Sequence, residues 1–160
     1  MTPPDPAPPR LPPRWFIRTF WAGHRALVRA SRGRLGLWQP KQTGRGWGAM
    51  RVTTTGRRSG RPRTVVIGYL RDGETLVSMA MNGWADPDPA WWLNLQADPL
   101  CEVDTGQGAR PMRARAADGA ERERLWERWR QVDQGLDAFA EQRSRPTAVV
   151  VFDPRPGPQA

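Results

Sequence analysis

The segment Thr53-Thr54-Thr55-Gly56-Arg57-Arg58-Ser59-Gly60-Arg61-Pro62-Arg63 places four arginines and two glycines in a turn between two strand-like runs. Glycine lets a backbone come close to a ligand and aim its amides inward, and guanidinium forks match the oxygens of phosphates and carboxylates two at a time. The chemistry open to such a turn is anion binding. It reads equally as an exposed hairpin tip whose arginines serve solubility. A Walker-type phosphate loop is excluded, because the turn leads into a strand and lacks the lysine. Cys101 is the only cysteine and His24 the only histidine. An internal disulfide, a zinc site and a histidine triad are therefore excluded, and no metal is expected. Cys101 shares a strand-like run with Val103 and reads as a small buried hydrophobe.

The net charge of +9 matters through its placement. Residues 6–71 carry fifteen basic side chains and no acidic one, whereas beyond Arg71 ten basic residues meet fifteen acidic ones. A basic half of this kind predicts an anionic partner: nucleic acid, an anionic membrane surface or a phosphorylated small molecule.

The elements that must hold the turn follow from periodicity. Residues 1–13 contain seven prolines and read as an extended or disordered tail. From Arg14 to about Arg32, Phe16, Ile17, Phe20, Trp21, Leu27 and Val28 recur near a 3.6 period, with Arg18, Arg25, Arg29 and Arg32 on another face. This predicts a basic amphipathic helix, either packed on its own domain or docked on an anionic bilayer. Met50–Thr55, Arg63–Leu70 and Thr75–Met81 are strand-like, the last two joined by a hairpin signal at Asp72-Gly73. Asp88 followed by Pro89 predicts the N-cap and first residue of a short helix over Ala90–Ala97. Leu100–Asp104 and Met112–Ala116 alternate as a strand pair, with Cys101, Val103, Met112, Ala114 and Ala116 inward and Glu102 and Asp104 facing Arg113 and Arg115 outside. Asp118 and Glu121 read as a capping box opening a helix that carries Leu125, Trp126, Trp129 and Val132 on one side. Ala148–Phe152 is the last strand. Six antiparallel strands with short helices predict a mainly β (α+β) fold, a closed or split barrel in one domain over 14–154, with a further tail at 155–160.

The ordered series TTTGRRSGRPR, Val65–Tyr69, LRDGETLVSMA, NG…DPAWWLNLQADPLCEV and GAERERLWERW resembles the deazaflavin-dependent nitroreductase family over about Arg25 to Pro154. The resemblance implies a six-stranded antiparallel split β-barrel, FMN-binding split-barrel-like, that binds coenzyme F-420 in preference to FMN and passes its hydride to a small organic acceptor such as a quinone, an activated double bond or a nitro compound. Arg57, Arg58, Ser59 and Arg63 would hold the phosphate and glutamyl tail. Val65, Val66, Ile67, Met79, Ala80, Met81 and Asn82 would line the deazaflavin and its ribityl chain. Ala90, Trp91 and Asn94 would close the other side. F-420 carries a phosphodiester and an oligoglutamate, an anion of the kind the basic half predicts.

The chain departs from the family where the acceptor would lie. Relatives carry tyrosines in the segment that here reads Val132–Phe139, so the expected pocket, roofed by the N-terminal helix and by this segment, offers Leu136 and Phe139; the chain's only tyrosine is Tyr69. A frequent lysine is Asn82, and a glycine has become Trp84. These three, Leu136, Phe139 and Tyr69, are the pocket candidates, and no catalytic residue is assigned. The lost tyrosines leave a non-catalytic deazaflavin carrier as an alternative. An arginine-rich nucleic-acid binder is disfavoured, because no docking helix is recognised and most tryptophans fall on apolar faces. The expected location is cytoplasmic, with residues 14–32 able to touch the inner face of a membrane.

Overall fold

The structure, a computed structural model, describes Thr19 and residues 36–40, 46–83 and 86–155. The basic helix expected over residues 14–32, the two tails and Trp84 lie outside the described residues, Thr19 and Arg155 apart. Among the described residues no helix is long and apolar enough to cross a membrane.

Six antiparallel strands form a closed barrel: β1 (Gly48–Thr55), β2 (Pro62–Asp72), β3 (Thr75–Met79), β4 (Leu100–Asp104), β5 (Ala109–Ala116) and β6 (Val149–Pro154), in the spatial order β1-β2-β3-β6-β5-β4. Closure leaves no free sheet edge. The period-2 alternation of each strand then assigns every residue to the inside or the outside of the wall. Met50, Val52, Ile67, Tyr69, Leu76, Cys101, Val103, Met112, Ala114, Val150 and Phe152 pack together in the interior. Leu70, Val77, Met79, Val149 and Val151 face the other way and form a second core. Helices α2 (Gly119–Arg130) and α3 (Leu136–Ala140) cover that outer core with Leu125, Trp129 and Leu136. Helix α1 (Ala90–Ala97) sends Trp91, Trp92 and Leu95 into the interior cluster and closes the barrel end where β1 runs into the arginine turn.

At Gly48 a Cβ would lie 2.6 Å from the Trp38 carbonyl oxygen and 2.6 Å from Tyr69 Cε1. No side chain fits there, which is how β1 comes close enough to β2 to bury Tyr69.

Several local expectations are corrected by tertiary partners. Asp88 does not cap α1: Pro89 stands at the N-cap with φ −65° and ψ 145°, and the Asp88 carboxylate accepts from Arg143. Asp118 is the N-cap of α2 without a side-chain cap bond, and the Glu121 carboxylate accepts from Arg115. The β4–β5 register sets Glu102 against Pro111 and Leu100 against Arg113. Asp104 therefore takes Arg51 of β1 at 2.7 Å, and Arg115 takes Asp153 of β6 at 2.8 Å. Ala116 is exposed where alternation placed it inside. For Asp88, Glu121 and Asp104 a guanidinium reaching from another strand or segment wins over the short-range partner.

The Asp72 carboxylate ties the β2–β3 hairpin to α2, accepting from Arg124 at 2.8 and 3.1 Å and from Arg128 at 2.7 Å. The Arg124 hydrogen bond, aided by both positive charges, holds the Asp72 carboxyl below its ordinary value. A depressed carboxyl contributes stability that is present above the unfolded value and lost as pH falls through the folded one. Asp72→Asn is expected to cost about 0.5–1 kcal/mol at pH 7, discounted for partial exposure. Urea denaturation of both proteins at pH 7 and again in acid below the ordinary carboxylate range checks this, the difference shrinking as pH falls.

Candidate functional site

A cleft of about 610 Å³ opens between the arginine turn and α1. One wall comes from Thr54, Gly56, Arg57, Arg58 and Ser59, where β1 ends, and from Arg63, Thr64 and Val65 of β2. The opposite wall is Asn82, Pro89, Ala90, Trp91 and Asn94.

The turn is built by its own backbone. Gly56 N–H donates to the Arg61 carbonyl at 2.8 Å, and the Ser59 and Gly60 amides donate back to the Gly56 carbonyl at 3.1 and 2.7 Å. Gly60 has φ +64°, a left-handed conformation that glycine takes without steric cost. A Cβ at Gly56 would lie 2.9 Å from Ser59 Oγ and 3.0 Å from the Arg61 carbonyl oxygen, so the loop closes over a position that only glycine fills. Ser59 Oγ accepts from the Arg61 amide at 3.3 Å and from Arg63 Nη2 at 3.4 Å.

Asn94 joins the two walls. It is 5 % exposed; its Nδ2 donates to Thr54 Oγ1 at 3.1 Å, while its Oδ1 accepts from both the amide and Nη1 of Arg57 at 3.2 Å. One buried amide thereby fixes the end of β1, the start of the turn and α1 relative to each other. Arg57, Arg58, Arg61 and Arg63 are exposed, and among the described residues none of the four makes an ion pair with a carboxylate. Arginines on α2 are by contrast engaged: Arg124 and Arg128 on Asp72, Arg130 on Glu127 and Asp137.

Of the residues expected at a cofactor site, the structure brings Arg57, Arg58, Ser59, Arg63, Val65, Asn82, Ala90, Trp91 and Asn94 to this cleft. Five others lie elsewhere. Val66 points out of the barrel to pack with Ala49 and Leu37, because it alternates with Val65. Met79 belongs to the outer core, again by alternation, and Met81, beyond the end of β3, packs against that core. Ala80 is in the interior cluster, and Ile67 packs against it.

The pocket candidates are also moved. Leu136 is 1 % exposed beneath α2, and Phe139 is half-buried beside it in the outer core, so neither lines this cleft. Tyr69 is fully buried inside the barrel, where burial pushes its phenol above its ordinary value against the opposing charge of Arg71. Cys101 is buried as expected, its thiol pushed up to about 12 by desolvation and by Asp98. A thiol so raised is not a nucleophile near neutrality. Of the two adjacent tryptophans both are buried, and Trp91 alone also faces the cleft, resting on Phe152 with ring centroids 6.4 Å apart.

Thr54, Gly56, Thr64 and Pro89 also line the cleft, the first two from the arginine turn itself, and none of the four was among the residues expected to contact the cofactor. The inward run of Met50, Val52 and Thr54 is a signal that could have found Thr54.

The arrangement pairs a strip of exposed cations with an apolar wall, suited to an elongated ligand that is anionic at one end and flat and apolar at the other. Comparison with known proteins gives the same direction. The profile of the F420H(2)-dependent quinone reductase family matches residues 24–154. An F420H(2)-dependent quinone reductase of Mycobacterium tuberculosis (strain ATCC 25618 / H37Rv) is 30% identical over 138 residues, 82% of this chain and 88% of that protein. Among solved structures, an F420-H2 dependent reductase superposes with a TM-score of 0.60 at 25% identity, over 66% of this chain and 93% of that one. A second, described as a domain-swapped dimer, shares the fold with a TM-score of 0.63 at 24% identity, over 89% of this chain and all of the other.

Proposed function

The chain belongs to the F420H(2)-dependent quinone reductase family, and from that premise we propose that the cleft between the arginine turn and α1 seats reduced coenzyme F-420, from which a hydride passes to a small acceptor of the quinone type. The observation that carries the assignment of the site is the set of three exposed arginines, Arg57, Arg58 and Arg63, without carboxylate partners among the described residues, set beside Trp91 and Val65 in one cleft.

The residues present fit this group. Its phosphodiester and carboxylates call for guanidinium donors, which Arg57, Arg58 and Arg63 supply, and for close backbone approach, which Gly56 permits. Arg57 is held ready by Asn94, and Arg63 by Ser59, so less side-chain freedom is lost on binding. Val65, Ala90 and Trp91 give an apolar wall that excludes water from the flat ring system. When bound, the deazaflavin supplies a two-electron hydride donor and the hard chemistry with it. The chain's task is orientation and exclusion of water. Arginine is the one ionisable type among the described lining residues.

Titration of the purified protein into F-420 and into FMN, followed by fluorescence, tests the cofactor assignment. F-420 is expected to bind at least about tenfold more tightly, a difference of about 1.4 kcal/mol. Equal affinities, or FMN carried through purification, would overturn it.

A further inference from the structure

Beyond the cleft itself, one cation is out of place by ordinary rules: the Arg143 side chain is wholly buried. A guanidinium loses its hydration on burial, and it is retained in an interior only where several acceptors replace water. Here four groups surround it. Nη1 donates to the Ala80 carbonyl at 3.1 Å and to Thr147 Oγ1 at 2.7 Å, and Nη2 donates to Asp88 Oδ1. Nε faces Asp86 Oδ1 at 3.6 Å, an ion pair without a hydrogen bond. The second Asp86 oxygen accepts from the Ser144 amide at 3.0 Å, and the half-exposed Arg145 lies 3.8 Å from both carboxylates. Thr147 is in turn held by α2, its carbonyl accepting from Arg122 Nη2 at 3.0 Å.

The acceptors share a location. Ala80 follows the end of β3, and Asp86 and Asp88 precede α1, so Arg143 grips both ends of the connection that crosses the cleft rim. Asn82 lies within the gripped stretch, while Pro89, Ala90 and Trp91 follow directly after Asp88, and all four line the cleft. Residues 86–89 belong to no helix or strand. The Pro89 carbonyl accepts from the Trp92 and Leu93 amides, and Asp86 and Asp88 before it are held by the contacts to Arg143, Ser144 and Arg145.

We propose that Arg143 is a positioning residue for the reductase: its buried guanidinium, acting through Asp88, Asp86 and the Ala80 carbonyl, holds the 80–90 segment so that Asn82, Pro89, Ala90 and Trp91 form a fixed wall opposite the arginine turn. The wall's importance for cofactor affinity rests on the reading that the cleft seats F-420. The grip itself does not.

Two variants and two readouts separate these. Arg143→Lys keeps the charge but replaces the planar fork by a single ammonium, which cannot reach Ala80, Thr147 and Asp88 in the same geometry. Asp88→Asn leaves Arg143 in place, removes the charge of one partner, and serves if Arg143→Lys does not fold. In the protein without cofactor, amide hydrogen exchange over residues 80–90 is expected to quicken at least about tenfold in either variant while β1 and β6 stay as protected as in the wild type. Titration with F-420 is expected to show Kd raised about 5- to 20-fold, with kcat at saturating cofactor nearly unchanged, the split expected when the wall's position is loosened but the reacting groups are kept. Unchanged exchange over 80–90, or exchange that rises equally in the barrel strands, would overturn the proposal, the second result marking Arg143 as a general stability residue. Local quickening without any loss of F-420 affinity would overturn its role in the site. Failure of the wild-type protein to bind F-420 would sink the cofactor reading and leave the exchange result to decide the grip.

Discussion

Replacing Arg58 by alanine is expected to weaken F-420 binding by about 10- to 100-fold, since a charge-assisted hydrogen bond contributes about 1.5–3 kcal/mol. Arg58 lines the cleft, is exposed, and makes no ion pair with a described carboxylate, so the variant opens no cavity and strands no buried partner. The fold and the melting temperature are expected to be unchanged, which separates this effect from destabilisation. A loss of affinity alone does not say which part of the ligand Arg58 meets. A cofactor analogue lacking the phosphate and glutamyl tail does. The wild type is expected to bind this analogue weakly, and Arg58→Ala to cost almost nothing further. Non-additivity of this kind marks two groups that touch, whereas independent effects sum. Equal losses on intact and truncated cofactor, measured by fluorescence titration at fixed salt, would mean that Arg58 acts elsewhere. The titrations need constant ionic strength, because exposed cations are screened over about 8–10 Å at ordinary salt.

The largest effect on stability is expected from Phe152→Ala. Phe152 is fully buried on β6, in register with Leu76 of β3 and Ala114 of β5, and its ring lies under Trp91 at an interplanar angle of 29°. Truncation removes the ring and leaves a cavity that a closed barrel cannot collapse around, at a cost of about 3–5 kcal/mol. That is a large part of the stability of an ordinary domain of this size. Urea denaturation is the direct measurement, with a fall in midpoint at unchanged slope as the expected form. The change also reaches the site, because Trp91 loses the surface it rests on. F-420 affinity of the fraction still folded is expected to fall as well, and Phe152→Leu, which keeps most of the volume, is expected to restore the larger part of both losses. Wild-type stability in Phe152→Ala would mean that the barrel interior is not the principal core.

What the sequence determined by itself was whatever depends on near neighbours and on pattern. Six strands were legible because β-branched residues alternate with polar ones, and the β2–β3 turn because Asp72-Gly73 fits a hairpin, with Gly73 at φ +60°. The arginine turn was legible as a candidate anion site, beside its equal reading as a solvated hairpin tip, because its residue types carry their charge wherever the chain goes. Burial of Cys101 and Trp129 followed from the faces they occupy. Tertiary structure alone decided which guanidinium meets which carboxylate. Asp88, Glu121 and Asp104 each had a short-range role that local spacing favoured, and each was taken by an arginine from another strand or segment, Arg143, Arg115 and Arg51. A charge-assisted bond outweighs a cap or an exposed cross-strand pair, and the partner's arrival depends on barrel closure, which no window of sequence contains. The same closure turned Val66 and Met79 away from the cleft, because a wall of alternating residues has two faces and only the assembled barrel says which of them borders the cleft.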